Sequence, residues 1–401
     1  MLATQDEVTV RQGLVERLMD ARRQSDAVFE LVRADSIYKR PIAERNRIIF
    51  YVGHLEAFDW NLLHERALGL KSWHPEFDRL FAFGIDPVGG GLPDDRASDW
   101  PAVKVVRDYV AGARSRIDDR LAGGNIESGA VDGVSLNVLL NVAIEHRLMH
   151  VETLSYMLHQ LAFEKKMRTS DVPEPRASQV RAGMVEVPAG PVVMGLTRGG
   201  EEFGWDNEFE AHAVDMARFV MDRGKVTNRE YAEFIAAGGY ETRAHWRNED
   251  WEWITAQGIS HPVFWTRAGN AWHYRAMFDE TPLPPDWPVY VSHAEATAYA
   301  RWAGKSLPTE AEWQRAAGGE AGVHGLFGNG WEWTSSVFEA FPGFEAFPFY
   351  RGYSADFFDG KHFVMKGGSP VTAECMLRPT FRNWFQAHYQ YVYAGFRCVN
   401  R

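Results

Sequence analysis

Two histidines, His146 and His150, stand four residues apart in a segment whose apolar residues recur at helical spacing. Residues four apart lie on one face of an α-helix, so both imidazoles would point the same way and could take two corners of one metal ion. A third histidine, His54, lies far upstream in another apolar segment of helical periodicity. Surface histidines would explain the spacing alone, but the surrounding apolar residues favour a metal site.

Three neutral imidazoles from two helices would leave half of an octahedral metal open. Non-haem iron(II) uses such adjacent open positions to hold a substrate and dioxygen together. Zinc held by three histidines and a water molecule is the alternative. The spacing of the histidines does not separate the two metals.

The elements that would position these histidines are long amphipathic helices. They are predicted over residues 7–34, 44–70, about 101–121 and about 135–165. Four such helices predict a bundle, and bundle cores are common places for metal sites built from facing helices. The second helix carries His54, and the fourth carries His146 and His150.

The predicted bundle covers residues 1–165, and the residue pattern of the chain changes after it. Residues 166–182 are polar, contain two prolines and predict a linker. Short β-like runs at 184–187 and 191–195 follow, and helical stretches are predicted at 228–237 and 293–303. Residues 183–401 therefore predict a second domain, of the α+β class.

Composition excludes several classes of function. The net charge is −11 and no basic run occurs, which argues against a nucleic-acid partner. The amino terminus lacks a signal pattern and no run of 18 apolar residues exists, so we expect a cytoplasmic protein without a membrane partner. Two cysteines, Cys375 and Cys398, are too few for a disulfide framework or a thiolate metal site.

Four motifs in the second half resemble the formylglycine-generating-enzyme fold, a relative of the C-type lectin fold. They lie at residues 305–313, 328–334, 366–369 and 395–398. The first half, with its three histidines, resembles a DinB-type four-helix bundle. In this order, the two halves resemble the ergothioneine-biosynthesis sulfoxide synthases and the related selenoneine synthases. The resemblance implies an α+β two-domain protein, with a DinB-like bundle followed by a formylglycine-generating-enzyme-like domain.

The resemblance also implies a chemistry. These enzymes hold iron(II) by three histidines, which match His54, His146 and His150. They bind hercynine, the trimethylated betaine of histidine, and use dioxygen to join a sulfur or selenium donor to the imidazole carbon between the two nitrogens. A tyrosine hydroxyl donates a proton in that reaction, and Tyr353 is our first candidate for it and Tyr350 the second.

The segment at residues 378–385 resembles the substrate-binding stretch of the same family. There, Asn383 and Trp384 would hold the carboxylate and backbone of hercynine, which we expect between the two halves of the chain. The full set of candidate substrate-binding residues is Arg378, Arg382, Asn383, Trp384, Phe385 and Gln386.

The expected donor follows from two departures from the family pattern. Family members that use γ-glutamylcysteine carry an arginine-rich loop after the second helix, whereas residues 81–95 hold no arginine and three acids, Asp86, Asp94 and Asp95. Phe385 also stands where some members carry an acid. Both changes favour a donor of little charge, such as a selenosugar.

Other interpretations stay open at this point. Arginines elsewhere, namely Arg96, Arg378 or Arg397, could serve a dipeptide, which would make the protein a sulfoxide synthase using cysteine or γ-glutamylcysteine. A metal- or ligand-binding protein without turnover and a zinc-dependent thiol transferase of the DinB type are the alternatives from other classes.

Overall fold

The computed structural model describes residues 5–82, 92–123, 134–177, 183–319 and 322–401. The chain divides into two compact units, Met1–Asp171 and Val172–Arg401, and this division falls within the segment predicted as a linker. Lys166, at the start of that segment, is buried and pairs with Val32, and the amide of Met167 donates to the carbonyl of Leu31 at 2.8 Å. The first residues of the segment therefore belong to the first unit.

The described part of the first unit is helical. Its helices are α1 (Gln5–Glu30), α2 (Ile48–Leu63), α3 (Pro75–Leu80), α4 (Val103–Ala122) and α5 (Leu136–Gln160). Helix α1 packs on α5, and α2 packs on both α4 and α5. The four predicted long helices are confirmed, the short α3 was not predicted, and the likeness to a DinB-type bundle stays a prediction.

Three of the four long helices, α1, α2 and α5, end earlier than their apolar periodicity indicated. Helix α2 begins after Arg47, whose backbone is extended, and the chain turns at Gly69 with a φ of 62°. Helix α5 stops before Leu161, whose ψ of 143° is extended. Buried residues continue past both ends, at Leu68 and Leu161. Apolar spacing therefore marks the core contacts of a segment rather than the end of its helix.

Helix α2 is buried nearly all round, including Tyr51, Leu55 and Trp60. A helix that is apolar on every side lies inside its domain rather than at its surface. A histidine at the middle of such a helix, His54, is held away from water. Removing the polar ring of His54 from water costs free energy, and a ligand bound to the ring would offset that cost.

The second unit combines helices with small sheets. Its helices are α6 (Asn228–Ala236), α7 (Asn248–Gln257), α8 (His293–Trp302) and α9 (Glu310–Ala317). Its strands are β1 (Met184–Val187), β2 (Gly190–Met194), β3 (His212–Met216), β4 (Phe219–Asp222), β5 (Trp265–Ala268), β6 (Ala271–Arg275), β7 (Glu280–Pro282), β8 (Gly330–Val337), β9 (His362–Gly368), β10 (Asn383–Gln386), β11 (Ala394–Gly395) and β12 (Val399–Asn400). The predicted β-runs and both predicted helices are confirmed, whereas α7 and α9 were not foreseen.

The sheet that matters for the site has the strand order β10-β9-β8-β11. Strands β10 and β9 are antiparallel, with Trp384 opposite Val364 and Phe385 opposite Phe363. The remaining strands form the groups β1-β4-β12, β2-β3 and β5-β6-β7. Because alternate residues of a strand point to opposite faces, Trp384 and Phe385 lie on different sides of this sheet.

Three of the four motifs that carry the family resemblance, those with Trp313, Glu332 and Arg397, contribute to the core of the second unit. Glu332 of β8 forms a bidentate pair with Arg397 at 2.6 and 2.7 Å, a pair with Lys225 at 2.9 Å, and a hydrogen bond from the Trp313 indole at 3.1 Å. All four side chains are buried. Motif residues that lie far apart in the sequence therefore serve one internal ion cluster, which holds the fold together.

Among the described residues, no helix is both long enough and apolar enough to cross a membrane.

Candidate metal centre

Helices α2 and α5 bring the three predicted histidines together. His54, His146 and His150 are buried, and one ring nitrogen of each lies within 4.8 Å of the others. The Nε2 atoms of His54 and His150 are 3.3 Å apart. Two nitrogens bound to one metal at about 2.1 Å would stand roughly 3.0–3.4 Å apart, for octahedral and tetrahedral angles respectively. The spacing of His54 and His150 thus suits two ligands of one metal ion, and His146 lies within 4.8 Å of both as a third.

The orientation of His54 is set by a backbone group. Its Nδ1 lies 2.6 Å from the carbonyl oxygen of Phe81, just past the end of α3. A carbonyl only accepts, so Nδ1 carries the proton and Nε2 keeps its lone pair for a metal. The neighbouring Gly53 permits this contact, because a Cβ at that position would lie 2.6 Å from the Phe81 ring.

Aromatic rings hold the other faces of these imidazoles. The ring of His146 stacks on Phe58 with centroids 3.4 Å apart, and the ring of His54 stacks on Phe50 at 4.8 Å. Tyr51 lies 5.7 Å from the ring of His150. Packing of this kind restricts ring rotation and keeps water out of the site, both of which favour a fixed coordination geometry.

Burial keeps all three imidazoles neutral. It lowers the pKa of His54 to about 4, against a smaller opposing effect of the hydrogen bond to Phe81. Burial also lowers the pKa of His146 and of His150 well below the ordinary value; the imidazole of His150 lowers the pKa of His146 further, and that of His54 lowers both. Neutral imidazole is the form that binds metal, so at neutral pH the site does not have to lose protons first.

A buried ion network lies beside the histidines, and the sequence reasoning missed it. Arg147 of α5 pairs with Glu56 at 2.7 Å and with Asp59 at 2.6 Å, both on α2. Arg114 of α4 also reaches Glu56 at 2.7 Å. Burial acts to raise the pKa of Glu56, and the three guanidiniums around it, with Arg22 as the third, hold that pKa below its ordinary value. Two acids three residues apart on an otherwise apolar helix were the available clue.

In the second unit, the structure brings Trp384 and Tyr353 together. Their rings meet edge to face at 5.4 Å, and Trp384 stacks on Phe338 at 4.1 Å. Tyr353 stacks on Trp205 at 3.9 Å and is largely buried. The side-chain oxygen of Asn383 accepts a hydrogen bond from the amide of Trp384 at 2.9 Å. These contacts form an aromatic site that carries three of the predicted residues.

Tyr350 lies next to Tyr353, with ring centroids 5.4 Å apart. Burial raises the pKa of Tyr350, and the nearby carboxyl of Asp206 raises it further. The backbone amide of Tyr353 also donates to the carbonyl of Tyr350 at 3.2 Å. Both tyrosines therefore belong to one turn, and Tyr353 is the one that touches Trp384.

The two arginines of the predicted substrate stretch are held by internal carboxylates. Arg382 is buried and forms a bidentate pair with Glu310 at 2.9 and 3.1 Å. Arg378 forms a bidentate pair with Glu208 at 2.9 and 2.6 Å. A direct role for either arginine in substrate binding stays a prediction, and it would require these pairs to open.

The remaining predicted residues lie at the edge of the same sheet. Phe385 is half-buried and stacks on Tyr389 with centroids 4.8 Å apart, and Gln386 is exposed.

The three acids of the 81–95 segment lie in the first part of the chain. Asp86 is outside the described residues, and Asp94 is exposed. Asp95 pairs with Arg40 and Arg47 and accepts a hydrogen bond from the Trp100 indole at 2.7 Å, so its carboxylate is already occupied within the first unit.

Comparisons with known proteins agree with the division of the chain. The family model described as the sulfatase-modifying factor enzyme 1-like domain matches residues 169–322 and 319–401. The hercynine oxygenase of Mycobacterium tuberculosis is 32% identical over 390 residues, which cover 84% of this chain and 89% of that protein. The hercynine oxygenase of Mycolicibacterium thermoresistibile is 33% identical over 303 residues, covering 64% and 67% of the two chains.

A fungal relative covers more of this chain but is much longer. Ergothioneine biosynthesis protein 1 of Neurospora crassa is 26% identical over 498 residues, covering 92% of this chain and 55% of that protein. The chain thus spans about half the length of the fungal relative.

Proposed function

This chain belongs to the hercynine oxygenase family and carries its sulfatase-modifying factor enzyme 1-like domain, and from that premise we propose that it is an iron(II)-dependent and dioxygen-dependent enzyme of selenoneine biosynthesis. It would join the selenium of a selenosugar to the imidazole C2 of hercynine. Membership of this family supports an oxidoreductase that acts in a pathway of the kind that makes ergothioneine. The metal, the donor and the residue roles are the parts that we propose.

One observation carries the proposal: three buried, neutral histidines converge within 4.8 Å in a relative of oxygenases. Such a site holds a divalent metal without losing protons. Zinc has no redox chemistry, so a reaction that consumes dioxygen favours iron over zinc in the same set of ligands. Iron(II), when bound by His54, His146 and His150, supplies the electrons that activate dioxygen.

The residues of the aromatic site have separate roles in this proposal. The indole of Trp384 offers a π-face to the quaternary ammonium of hercynine, an attraction worth about 1–2 kcal/mol when water is excluded. Because the side-chain oxygen of Asn383 is occupied by the amide of Trp384, its amide nitrogen is left to donate to the hercynine carboxylate. The phenol of Tyr353 holds the proton that is donated, since a phenol stays protonated at neutral pH.

The selenosugar is proposed over a peptide thiol for electrostatic reasons. Two of the three arginines that could serve a dipeptide, Arg378 and Arg397, are already paired with Glu208 and Glu332. The third, Arg96, is exposed. A carboxylate-bearing donor would therefore have to open an internal ion pair or recruit the solvated Arg96, and without either its charge would lack a bidentate partner, at a cost of several kcal/mol in a partly buried site. The alternative is a sulfoxide synthase that uses cysteine or γ-glutamylcysteine.

The test is a reconstitution with iron(II), hercynine and dioxygen against a panel of thiol and selenol donors, with products read by mass spectrometry. We expect oxygen uptake that requires hercynine, and a product in which the hercynine C2 carries selenium. Metal analysis after anaerobic loading with iron(II) or zinc(II) separates an iron enzyme from a zinc protein. Binding of hercynine without oxygen uptake with any donor would instead indicate a binding protein.

A further inference from the structure

A second group of titratable side chains lies in the second unit, outside the aromatic site. It consists of Arg247, Asp250 of α7, and His388. The Asp250 carboxylate accepts hydrogen bonds from Nε of Arg247 at 2.7 Å and from Nε2 of His388 at 2.9 Å. The side chain of Asp250 is only 1% exposed, whereas that of His388 is 36% exposed. A buried carboxylate therefore holds a histidine that solutes can reach.

The tautomer of His388 follows from this carboxylate. Burial acts to raise the pKa of Asp250, but its hydrogen bonds with His388 and Arg247 hold that pKa below the ordinary value, so the group is ionised. An ionised carboxylate only accepts, so Nε2 of His388 carries the proton and Nδ1 presents a lone pair. Within the described ranges, no residue donates a hydrogen bond to Nδ1. The ring also stacks on Trp253 at 4.6 Å, with an interplanar angle of 4°.

The group lies beside Phe385, on the side of the sheet away from Trp384. Phe363 is the cross-strand partner of Phe385, so their rings share one face. The guanidinium of Arg247 lies over the Phe363 ring at 5.3 Å. Phe385 in turn stacks on Tyr389 with an interplanar angle of 9°. The fixed imidazole is thus adjacent to a flat aromatic wall at the position where the donor was expected.

The charges of the group define the ligand that it suits. The positive charge of Arg247 and the negative charge of Asp250 cancel, and Glu249 lies 3.5 Å from Arg247. A carboxylate ligand would find no net positive field there. Of the three guanidinium nitrogens, Nε and Nη2 donate to Asp250, and Nη1 donates to none of the described residues. The group therefore offers one acceptor, Nδ1 of His388, and one donor, Nη1 of Arg247, beside the aromatic rings of Phe385 and Tyr389. This combination suits a neutral ligand that carries hydroxyl groups.

We propose that His388 and Arg247 form a subsite that binds hydroxyl groups of the second substrate, the chalcogen donor, against the wall of Phe385 and Tyr389. The inference rests on the proposed function and specifies its donor as neutral and hydroxyl-bearing. Asp250 is the positioning residue, because it fixes the tautomer of His388. If the pair of Asp250 with Arg247 only braced the start of α7, His388 would have no effect on any ligand.

The experiment compares the full-length protein with His388→Phe, which keeps a flat ring on Trp253 but removes both nitrogens. The probe is 1-thio-β-D-glucose, with cysteine as a donor that lacks hydroxyl groups. We expect the KM for the thiosugar to rise about tenfold, the value for one or two lost hydrogen bonds, while kcat and the KM for hercynine stay within about twofold. His388→Asn keeps a polar atom near the Nδ1 position and should recover part of the loss.

His261→Gln is the matched control, because His261 is also a half-buried histidine that packs on a tryptophan, Trp272, in the same unit. It should leave the KM for both donors unchanged. Calorimetric titration of the thiosugar tests the subsite without turnover. Binding by the unmodified protein that His388→Phe weakens supports the subsite, even if no product forms and the proposed function fails. Equal changes with cysteine, a change in the KM for hercynine alone, or no binding of the thiosugar would overturn it.

Discussion

At the scale of single residues, the metal centre depends on how each imidazole is fixed. His54 is oriented by the carbonyl of Phe81 and by the ring of Phe50, and His146 by the ring of Phe58. Burial keeps each ring neutral. A buried neutral histidine without a metal contributes little to stability, so three of them in one core are best explained by a ligand that they share.

Each of the three histidines should therefore be required for metal binding. We expect His54→Ala, His146→Ala or His150→Ala to remove most of the iron bound after anaerobic loading, because two imidazoles hold the ion far more weakly than three. Iron content per chain, measured by mass spectrometry, checks this. His64→Ala is the control, since His64 stands at the end of α2 outside the group of three histidines, with its Nδ1 bonded to the carbonyl of Trp60. Full iron content in all three variants would exclude the assignment.

The sequence predicted the His146 and His150 part of this centre because that information is local, whereas His54 lies 96 residues before His150. A spacing of four residues places His146 and His150 on one face, and no knowledge of the rest of the chain is needed. The partners of Arg378 and Arg382 could not be predicted in the same way, because Glu208 and Glu310 lie 170 and 72 residues away. Long-range ion pairs leave no periodic trace in a sequence. Which predicted polar residues remain available to a ligand is therefore a question for the structure.

At the scale of elements, the ion network ties together the two helices that carry the histidines. Arg147 of α5 bonds Glu56, Asp59 and the carbonyl of Leu55 on α2. It directly follows His146 in the chain, and Glu56 is two residues from His54. The same contacts that join α2 to α5 thus set the distance between their imidazoles. The helices that carry the site could be predicted from the sequence. The distance between α2 and α5 could not, because it depends on the ion pairs of Arg147 with Glu56 and Asp59.

Removing Arg147 should be costly. Arg147→Met would leave the buried carboxylate of Asp59 without its partner, and the loss of one member of a buried pair typically costs about 3–5 kcal/mol. We expect the free energy of unfolding of the metal-free protein to fall by roughly that amount, as measured by urea denaturation. Arg23→Met is the control, since Arg23 forms an exposed pair with Asp20 and its loss should change stability by less than about 1 kcal/mol. Equal effects of the two substitutions would contradict this role for the network.

At the scale of the whole molecule, the family model and the metal centre occupy different parts of the chain. The model matches residues from 169 onwards, whereas all three histidines lie before that point. The motifs of the second unit that resemble the formylglycine-generating-enzyme fold, with Glu332 and Arg397 among their residues, stabilise its core. Recognising those motifs identifies the fold of the second unit, and the chemistry has to be argued from the histidines of the first.

The choice of donor depends on how charges are paired across the whole protein. A peptide thiol requires a cationic partner, but Arg378 and Arg397 are already paired, and Asp95 is held by Arg40 and Arg47. Phe385 offers an aromatic ring in place of a counter-charge for an ammonium group. A neutral selenosugar has no charge that needs a partner, so these internal pairs do not weaken its binding. Each unpaired charge on a dipeptide, in contrast, costs binding free energy.

We therefore expect kcat/KM to be at least about tenfold higher for a selenosugar than for γ-glutamylcysteine or cysteine, which corresponds to one poorly compensated charge at about 1.4 kcal/mol or more. Side-by-side rates at fixed iron, hercynine and dioxygen give the order. The matched thiosugar is needed beside the selenosugar, because a selenol is more acidic than a thiol and reacts faster for that reason alone. If γ-glutamylcysteine were preferred to both sugars, the protein would belong to the ergothioneine branch, and the roles of the three histidines, Asn383 and Trp384 would be unaffected.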